Sequence, residues 1–356
     1  MQQYTYLNTA GCGLLSQSSQ QVLQEGIQQY ANHGSLAREV WFEELSFLRQ
    51  RAAELIGASE TEVAMITNFT NGVHQVAHLL RKQAEKVLLI DDDYPSLTLP
   101  WHLLGYEVHS APVQPNGSIS PEAIENSIRQ HQIKILAVSH VQYSSGFQLS
   151  LANLVEICRR NDTLLVVDAT QSLGMIPINL RDTPVDVLIA SGYKWLNSGL
   201  GNGLLYLREG LYAQLRPNLL GFGAVGSNYT PESLQELPFT PQTLEAGHYN
   251  FFSLLVLRQA IEDSLQIGIA NINHRVMQLR QQLTEGLPDN ISLLSDYPST
   301  QASGIVVVKA PADAEQQLRA QNIITATRPK GLRISPHFFN DEGDIQQVCQ
   351  ALGELQ

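Results

Sequence analysis

Five short runs in this chain are apolar at nearly every position: KVLLI (86–90), IKILAVSH (133–140), TLLVVDAT (163–170), VDVLIA (185–190) and GLLYL (203–207). A strand with one wet face alternates apolar and polar residues, and these do not. Strands of this kind are buried on both faces, as in a mostly parallel sheet covered by helices. Between them lie helical patterns, such as Val73, Val76, Ala77 and Leu80, then Leu151, Leu154, Val155 and Cys158. The rhythm predicts an α/β fold with a mostly parallel, doubly wound sheet. A chain of 356 residues, 43% apolar and 16% charged, is long enough for one large domain and a smaller one.

Beyond the runs the pattern changes. The stretch 219–249 is rich in Gly, Pro, Ser and Thr and predicts a long irregular excursion. Residues 253–286 read as one or two long helices. Then come IVVVK (305–309), a helix near 312–321, LRISPHFF (332–339) and a last helix capped by Asn340 or Asp341, which together suggest a smaller α+β domain.

The net charge of −12, with no basic run, argues against a nucleic-acid partner. No stretch has the length or apolarity of a membrane span, and the opening MQQYTYLNTAGCG lacks the pattern of a signal peptide, so a cytoplasmic protein is expected. Three scattered cysteines suggest neither a disulfide framework nor a metal site. Cys158 and Cys349 fall at core-facing helical positions; Cys12, in AGCG, reads as filler or as a nucleophile.

In open parallel sheets, ligands bind beyond the carboxyl ends of the strands. Several strands end there in polar residues. VVDATQSLG puts Asp168 at the end of an apolar strand and Gln171 three residues on; a buried carboxylate calls for a cation or strong donors, or caps the next helix. SGYKWLNSG places Lys194 between two aromatics just past the end of another strand. TNFTNG puts Thr70, Asn71 and Gly72 just before a helix, where free N–H groups can bind an anion or where Thr and Asn are plain caps. DDDYPSLTLPW offers Tyr94 in a loop, as a turn residue or as a flat ring for stacking. An amine, a carboxylate, a ring and an anion site together outline a pocket for a phosphorylated pyridine aldehyde.

These motifs, in this order, resemble the class V aminotransferase superfamily of fold-type I enzymes that use pyridoxal 5'-phosphate (PLP), among them cysteine desulfurases and isopenicillin-N-epimerase-like proteins. The resemblance runs from YLNTAGCG to LRISPHFFN. It implies that Lys194 forms a Schiff base with the cofactor, that Asp168 binds the pyridine nitrogen and that Gln171 donates to the phenolic oxygen. Tyr94, seven residues before Trp101, falls at the ring-stacking position, and Thr70, Asn71, Ser191 and Tyr193 surround the phosphate. LEAGHYN is similar to the family segment that reaches a phosphate in the neighbouring subunit, with His248 at the contact position, which implies a homodimer with shared active sites. In SHVQYSSG, Gln142 and Tyr143 face the substrate; Tyr143 stands where desulfurases usually have Asn. Arg333, or Arg328 beside it, clamps a substrate carboxylate. The implied division is an N-terminal active-site segment (1–15), a large PLP-binding α/β domain (16–250) and a small α+β domain (251–356).

Desulfurases carry a nucleophilic cysteine in a mobile loop before this arginine; here the loop is RPKG, without cysteine. The reading is therefore an aminotransferase acting on a small amino-acid or keto-acid substrate. The alternatives are a cysteine-independent C–S lyase, an epimerase, or a protein of this fold that binds without turnover.

Overall fold

The computed structural model describes residues 4–216, 230, 239–245 and 247–355; most of the expected 219–249 excursion lies outside the described residues. The strands, in chain order, are β1 (Thr5–Tyr6), β2 (Val63–Ile66), β3 (Lys86–Ile90), β4 (Glu107–Ala111), β5 (Ile135–Ser139), β6 (Leu164–Asp168), β7 (Val187–Ser191), β8 (Gly203–Leu207), β9 (Ser292–Leu293), β10 (Val306–Lys309), β11 (Ile323–Ile324), β12 (Ala326–Arg328) and β13 (Gly331–Ile334). The described helices are α1 (Gln17–His33), α2 (Ser35–Ile56), α3 (Phe69–Leu80), α4 (Pro95–Leu103), α5 (Pro121–His131), α6 (Leu151–Arg160), the single turn α7 (Glu209–Tyr212), α8 (Phe251–Ile267), α9 (Ile269–Glu285), α10 (Ala314–Ala320) and α11 (Glu342–Gly353).

Seven strands form the main sheet in the order β2-β8-β7-β6-β5-β3-β4. From β7 to β4 all neighbours are parallel. Alternate residues enter two cores, which is why the runs are apolar throughout. Leu88, Leu136, Val138, Leu165, Val167 and Leu188 face the core packed by α2, α5, α6 and α8. Val87, Leu89, Ile135, Ala137, Val166 and Ile189 face the opposite core, shared with α3 and α4. Each such Val, Leu or Ile side chain contributes about 1.5–3 kcal/mol on burial. The sheet is mostly parallel, as expected; β8 is the exception, antiparallel to both β2 and β7. A strand buried on both faces looks the same in either direction.

The remaining strands form a four-stranded antiparallel sheet, β12-β13-β10-β9. Its outer face packs on α9, α10 and α11 through Leu279, Leu318, Val308 and Val348. Its inner face joins Ala10, Met175, Trp195 and Val276. The 253–286 stretch is two helices broken at Gly268, which takes φ 85°. The last helix is capped by Asp341, whose side chain accepts from the Asp344 N–H. The N-terminal segment crosses between the sheets: β1 pairs with β11, and Asn8 bridges to Ser335.

Candidate active site

The carboxyl ends of β5, β6 and β7 and the loop after β3 converge on one pocket. Its lining includes Thr70, Tyr94, Tyr143, Asp168, Gln171, Ser191, Tyr193 and Lys194. The expected residues that line it come from five separate stretches of the chain. The sequence reading missed Asn68, Phe69, Ser139 and Thr170, which also line it. Asn68 was within reach as a helix cap in TNFTNG; Ser139 and Thr170 flank strand ends but carry no signal of their own.

Lys194 lies three residues past β7 and is 6% exposed. Its Nζ faces the rings of Tyr94 at 5.5 Å and Tyr193 at 5.6 Å. Burial lowers its pKa to about 8; Asp168 opposes this, and Arg333 and Arg328 add to it. The turn that carries it is pinned from three sides. The Gly13 N–H donates to the Tyr193 carbonyl at 2.7 Å, and a Cβ on Gly13 would lie 2.2 Å from the Lys194 carbonyl oxygen, so only glycine allows this approach. His337, fully buried, contacts the Trp195 carbonyl through Nε2 at 2.7 Å. Its Nδ1 accepts the Phe338 N–H, so Nε2 carries the proton and donates. Trp195 Nε1 donates to Gln171 Oε1 at 2.9 Å.

A pH dependence follows. With the lysine pKa lowered on folding, the unfolded chain holds more protons between about pH 8 and the ordinary 10.5. In the cofactor-free protein, Lys194→Met should raise the Tm at pH 7, and that advantage should shrink as the pH rises through this window. A constant difference from pH 7 to 10.5 would show that the amine is not desolvated.

Asp168 is 5% exposed. Burial raises its pKa to about 6; the Thr170 hydrogen bonds and Lys194 oppose the shift, and Asp93 adds to it. The Thr170 N–H donates to its Oδ1 at 2.8 Å. Gln171 uses its oxygen for Trp195 and one N–H for the Ala10 carbonyl at 3.0 Å. What remains of its amide is a second N–H, a donor.

α3 begins at Phe69 rather than after Gly72, because Asn68 is its cap and accepts from the Asn71 N–H at 2.9 Å. Thr70, Asn71 and Gly72 therefore stand in the first turn. Ser191 joins the strand end to this start, its Oγ accepting the Phe69 N–H at 2.8 Å. Gly72 does not line the pocket. A Cβ there would meet Ile66 and Ile189 within 2.9 Å, so this glycine lets the helix lie close on the sheet. Asn71 and His248 line a second, adjoining cavity with Thr67 and Tyr249. Within one chain, His248 is not brought into the Lys194 pocket.

Arg333 is 1% exposed. Paired with Val307 across β10 and β13, it lies on the inner face, while Leu332 and Ile334 enter the outer core. It donates to the Tyr143 carbonyl at 3.0 Å and to Asn8 Oδ1 at 3.4 Å, and its Nε has no partner. Burial and neighbouring Arg328 lower its pKa to about 9. No carboxylate pairs with it among the described residues, so it is a buried cation able to receive an anion. Arg328 is half-buried, and its guanidinium bonds the Thr327 carbonyl. Tyr143 packs edge-on to Tyr94, with ring centroids 5.3 Å apart. Gln142 does not line the pocket; its amide donates to Asp93 at 3.2 Å. The RPKG segment is a tight hairpin in which Arg328 pairs with Gly331. Burial raises the pKa of all three thiols, that of Cys158 to about 12, so none is activated as a thiolate.

A larger groove lies at the amino edge of the sheet; in its lining Lys134 pairs with Asp162 and Asp186 with Arg208, and Arg159 is the remaining charge. Among the described residues, no cluster of His, Cys, Asp and Glu is placed to hold a metal, and no helix is long and apolar enough to cross a membrane.

The family model "Aminotransferase class-V" matches residues 5–348. An uncharacterized aminotransferase, YcbU, of Bacillus subtilis (strain 168) is 25% identical, over 99% of this chain and 94% of its own length. The isopenicillin N epimerase of Streptomyces clavuligerus is 28% identical, over 86% of this chain and 83% of its own. In fold, the cysteine desulfurase of Thermococcus onnurineus NA1 superposes with a TM-score of 0.89 at 21% identity, covering 99% of this chain and 94% of that one. Enzymes of the matched family use pyridoxal phosphate. This chain belongs to the class V aminotransferase family.

Proposed function

We propose that this chain is a PLP-dependent enzyme of amino-acid metabolism that transaminates a small amino acid, with Lys194 as the amine that holds the cofactor. The observation that carries the reading is a desolvated lysine and a buried carboxylate facing one pocket, beside a helix start and an aromatic ring. Bound there, the cofactor supplies an aldehyde that captures amines and a ring that spreads the charge left when Cα loses its proton. Asp168 is suited to hold the proton on the ring nitrogen, because an anion at that nitrogen raises its pKa. The second N–H of Gln171 suits the phenolic oxygen. Tyr94 offers a face to the ring, and Thr70, Ser191 and Tyr193 with the α3 start suit the phosphate. Lys194, with its pKa near 8, is matched to taking the proton from Cα at neutral pH. Neither Arg333 nor Arg328 lines the pocket, but both charges are felt at Lys194, and Arg333, bonded to the carbonyl of the pocket residue Tyr143, is assigned to the substrate carboxylate, with Arg328 as the alternative. Asn71 in the first turn of α3 joins the phosphate set, and His248, on the adjoining cavity, is assigned to the phosphate of a second copy, which makes the working unit a homodimer.

A second reading, epimerisation, is favoured by the isopenicillin N epimerase relatives, which are 27–28% identical. A persulfide-forming desulfurase is disfavoured by the tight RPKG hairpin and the unactivated thiols. The test is to load the protein with PLP and screen amino acids with and without a 2-oxo acid acceptor. Transamination gives acceptor-dependent 2-oxo acid. β-Elimination gives pyruvate and ammonia without an acceptor, and epimerisation exchanges Cα–H for deuterium with no 2-oxo acid. A binding protein gives none of these, and that result would sink the enzyme reading.

A further inference from the structure

The DDD run after β3 hides a second buried carboxylate. Asp91 and Asp92 are exposed, but Asp93 is 6% exposed. Four donors converge on it. The Ser139 Oγ–H and the Tyr94 N–H reach Oδ1 at 2.6 and 2.7 Å; the Ser139 N–H and Gln142 Nε2 reach Oδ2 at 3.0 and 3.2 Å. Burial raises the Asp93 pKa, and the hydrogen bonds from Ser139, Tyr94 and Gln142 oppose that shift; the three N–H groups can only donate, so they favour the ionised form. Ser139 is also the strand partner of Asp168, their Cα atoms paired across β5 and β6. Asp93 thus stands two strands over from Asp168 along the same edge, with Ser139 of β5 between them, and it is the neighbour of Tyr94 in the chain.

We propose that Asp93 is a positioning residue that fixes Tyr94 and Gln142 and, as a second fixed anion behind Asp168, keeps the proton on the ring nitrogen of the bound cofactor. The inference rests on the PLP reading above. The physical case is Coulombic. The other charges recorded at this edge are Lys194 past β7, Arg333 on β13, Arg328 on β12, the weak acids Cys12, Tyr143 and Tyr193, and the exposed Asp92, which acts on Tyr143. The arginines act against a proton on the pyridine nitrogen, and the cofactor's own phosphate and Asp168 act for it. An ionised Asp93, held by the N–H donors of Ser139, Tyr94 and Gln142, adds a further negative charge behind Asp168. Its field reaches Asp168, whose proton affinity it raises.

The test is the 15N signal of the ring nitrogen in protein loaded with PLP labelled at that atom, followed across pH for the wild type, Asp93→Asn and Asp93→Glu. In Asp93→Asn the signal should move from the pyridinium to the pyridine position at a pH roughly one unit lower than in the wild type. In Asp93→Glu, which keeps the charge, it should follow the wild type. Equal titration of Asp93→Asn and wild type overturns the proposal while leaving the PLP reading intact. Should Asp93→Asn not hold PLP, Asp93→Glu decides: a wild-type titration supports the charge, and a lowered one overturns it. Loss of PLP from both variants also overturns the electrostatic role. No bound PLP in the wild type sinks the reading beneath it.

Discussion

Lys194→Ala should bind PLP without a covalent link, and borohydride should fix no label to it, whereas the wild type should take up one label per chain at this residue. Turnover should fall by roughly 10²–10⁴-fold from loss of the proton-transferring base alone. The argument is local. The amine sits past β7 with 6% exposure, facing two rings rather than a carboxylate in contact. A lysine placed there for structure would be paired or would snorkel to water. Retained turnover, or borohydride label at another lysine, would show that the reacting amine lies elsewhere.

Arg333→Met should separate stability from function. The guanidinium is buried, its Nε has no partner and no anion answers its charge among the described residues. Replacing it with an apolar side chain of similar length removes that cost, so the cofactor-free protein should gain Tm. For a carboxylate substrate, kcat/KM should drop by the roughly 2–5 kcal/mol that follows when one partner of a buried charged pair is removed. Arg333→Lys should recover little, because an ammonium cannot present the flat two-pronged donor set. An unchanged kcat/KM in Arg333→Met would assign the carboxylate to Arg328, and Arg328→Met is the matching control.

The sheet was legible because strands buried on both faces spell out their burial in every residue, as in ILAVS and VLIAS. The direction of β8 was not, since GLLYL reads alike in either orientation. Lys194 and Asp168 stood out as charged residues at the ends of apolar strands. Asp93 did not, because three successive aspartates read as a solvated turn, and only the register of β3 and β5 shows which one is buried. Gly72 misled for a related reason: a glycine near a helix start suggests an anion site, but its neighbours Ile66 and Ile189 make it a packing contact. His248 lines the adjoining cavity and not the Lys194 pocket of its own chain, and no spacing in the sequence encodes that.

The clamp around the lysine turn also dictates an order of events during synthesis. The three groups that hold it come from residue 13, residue 171 and residue 337. The first leaves the ribosome long before the last, and Asn8 waits for Ser335 across nearly the whole chain. A nascent chain can therefore own its lysine, its aspartate and most of its sheet while the lysine turn still lacks its final restraint. A chain stopped short of His337 would carry that turn without the hydrogen bond His337 gives to the Trp195 carbonyl.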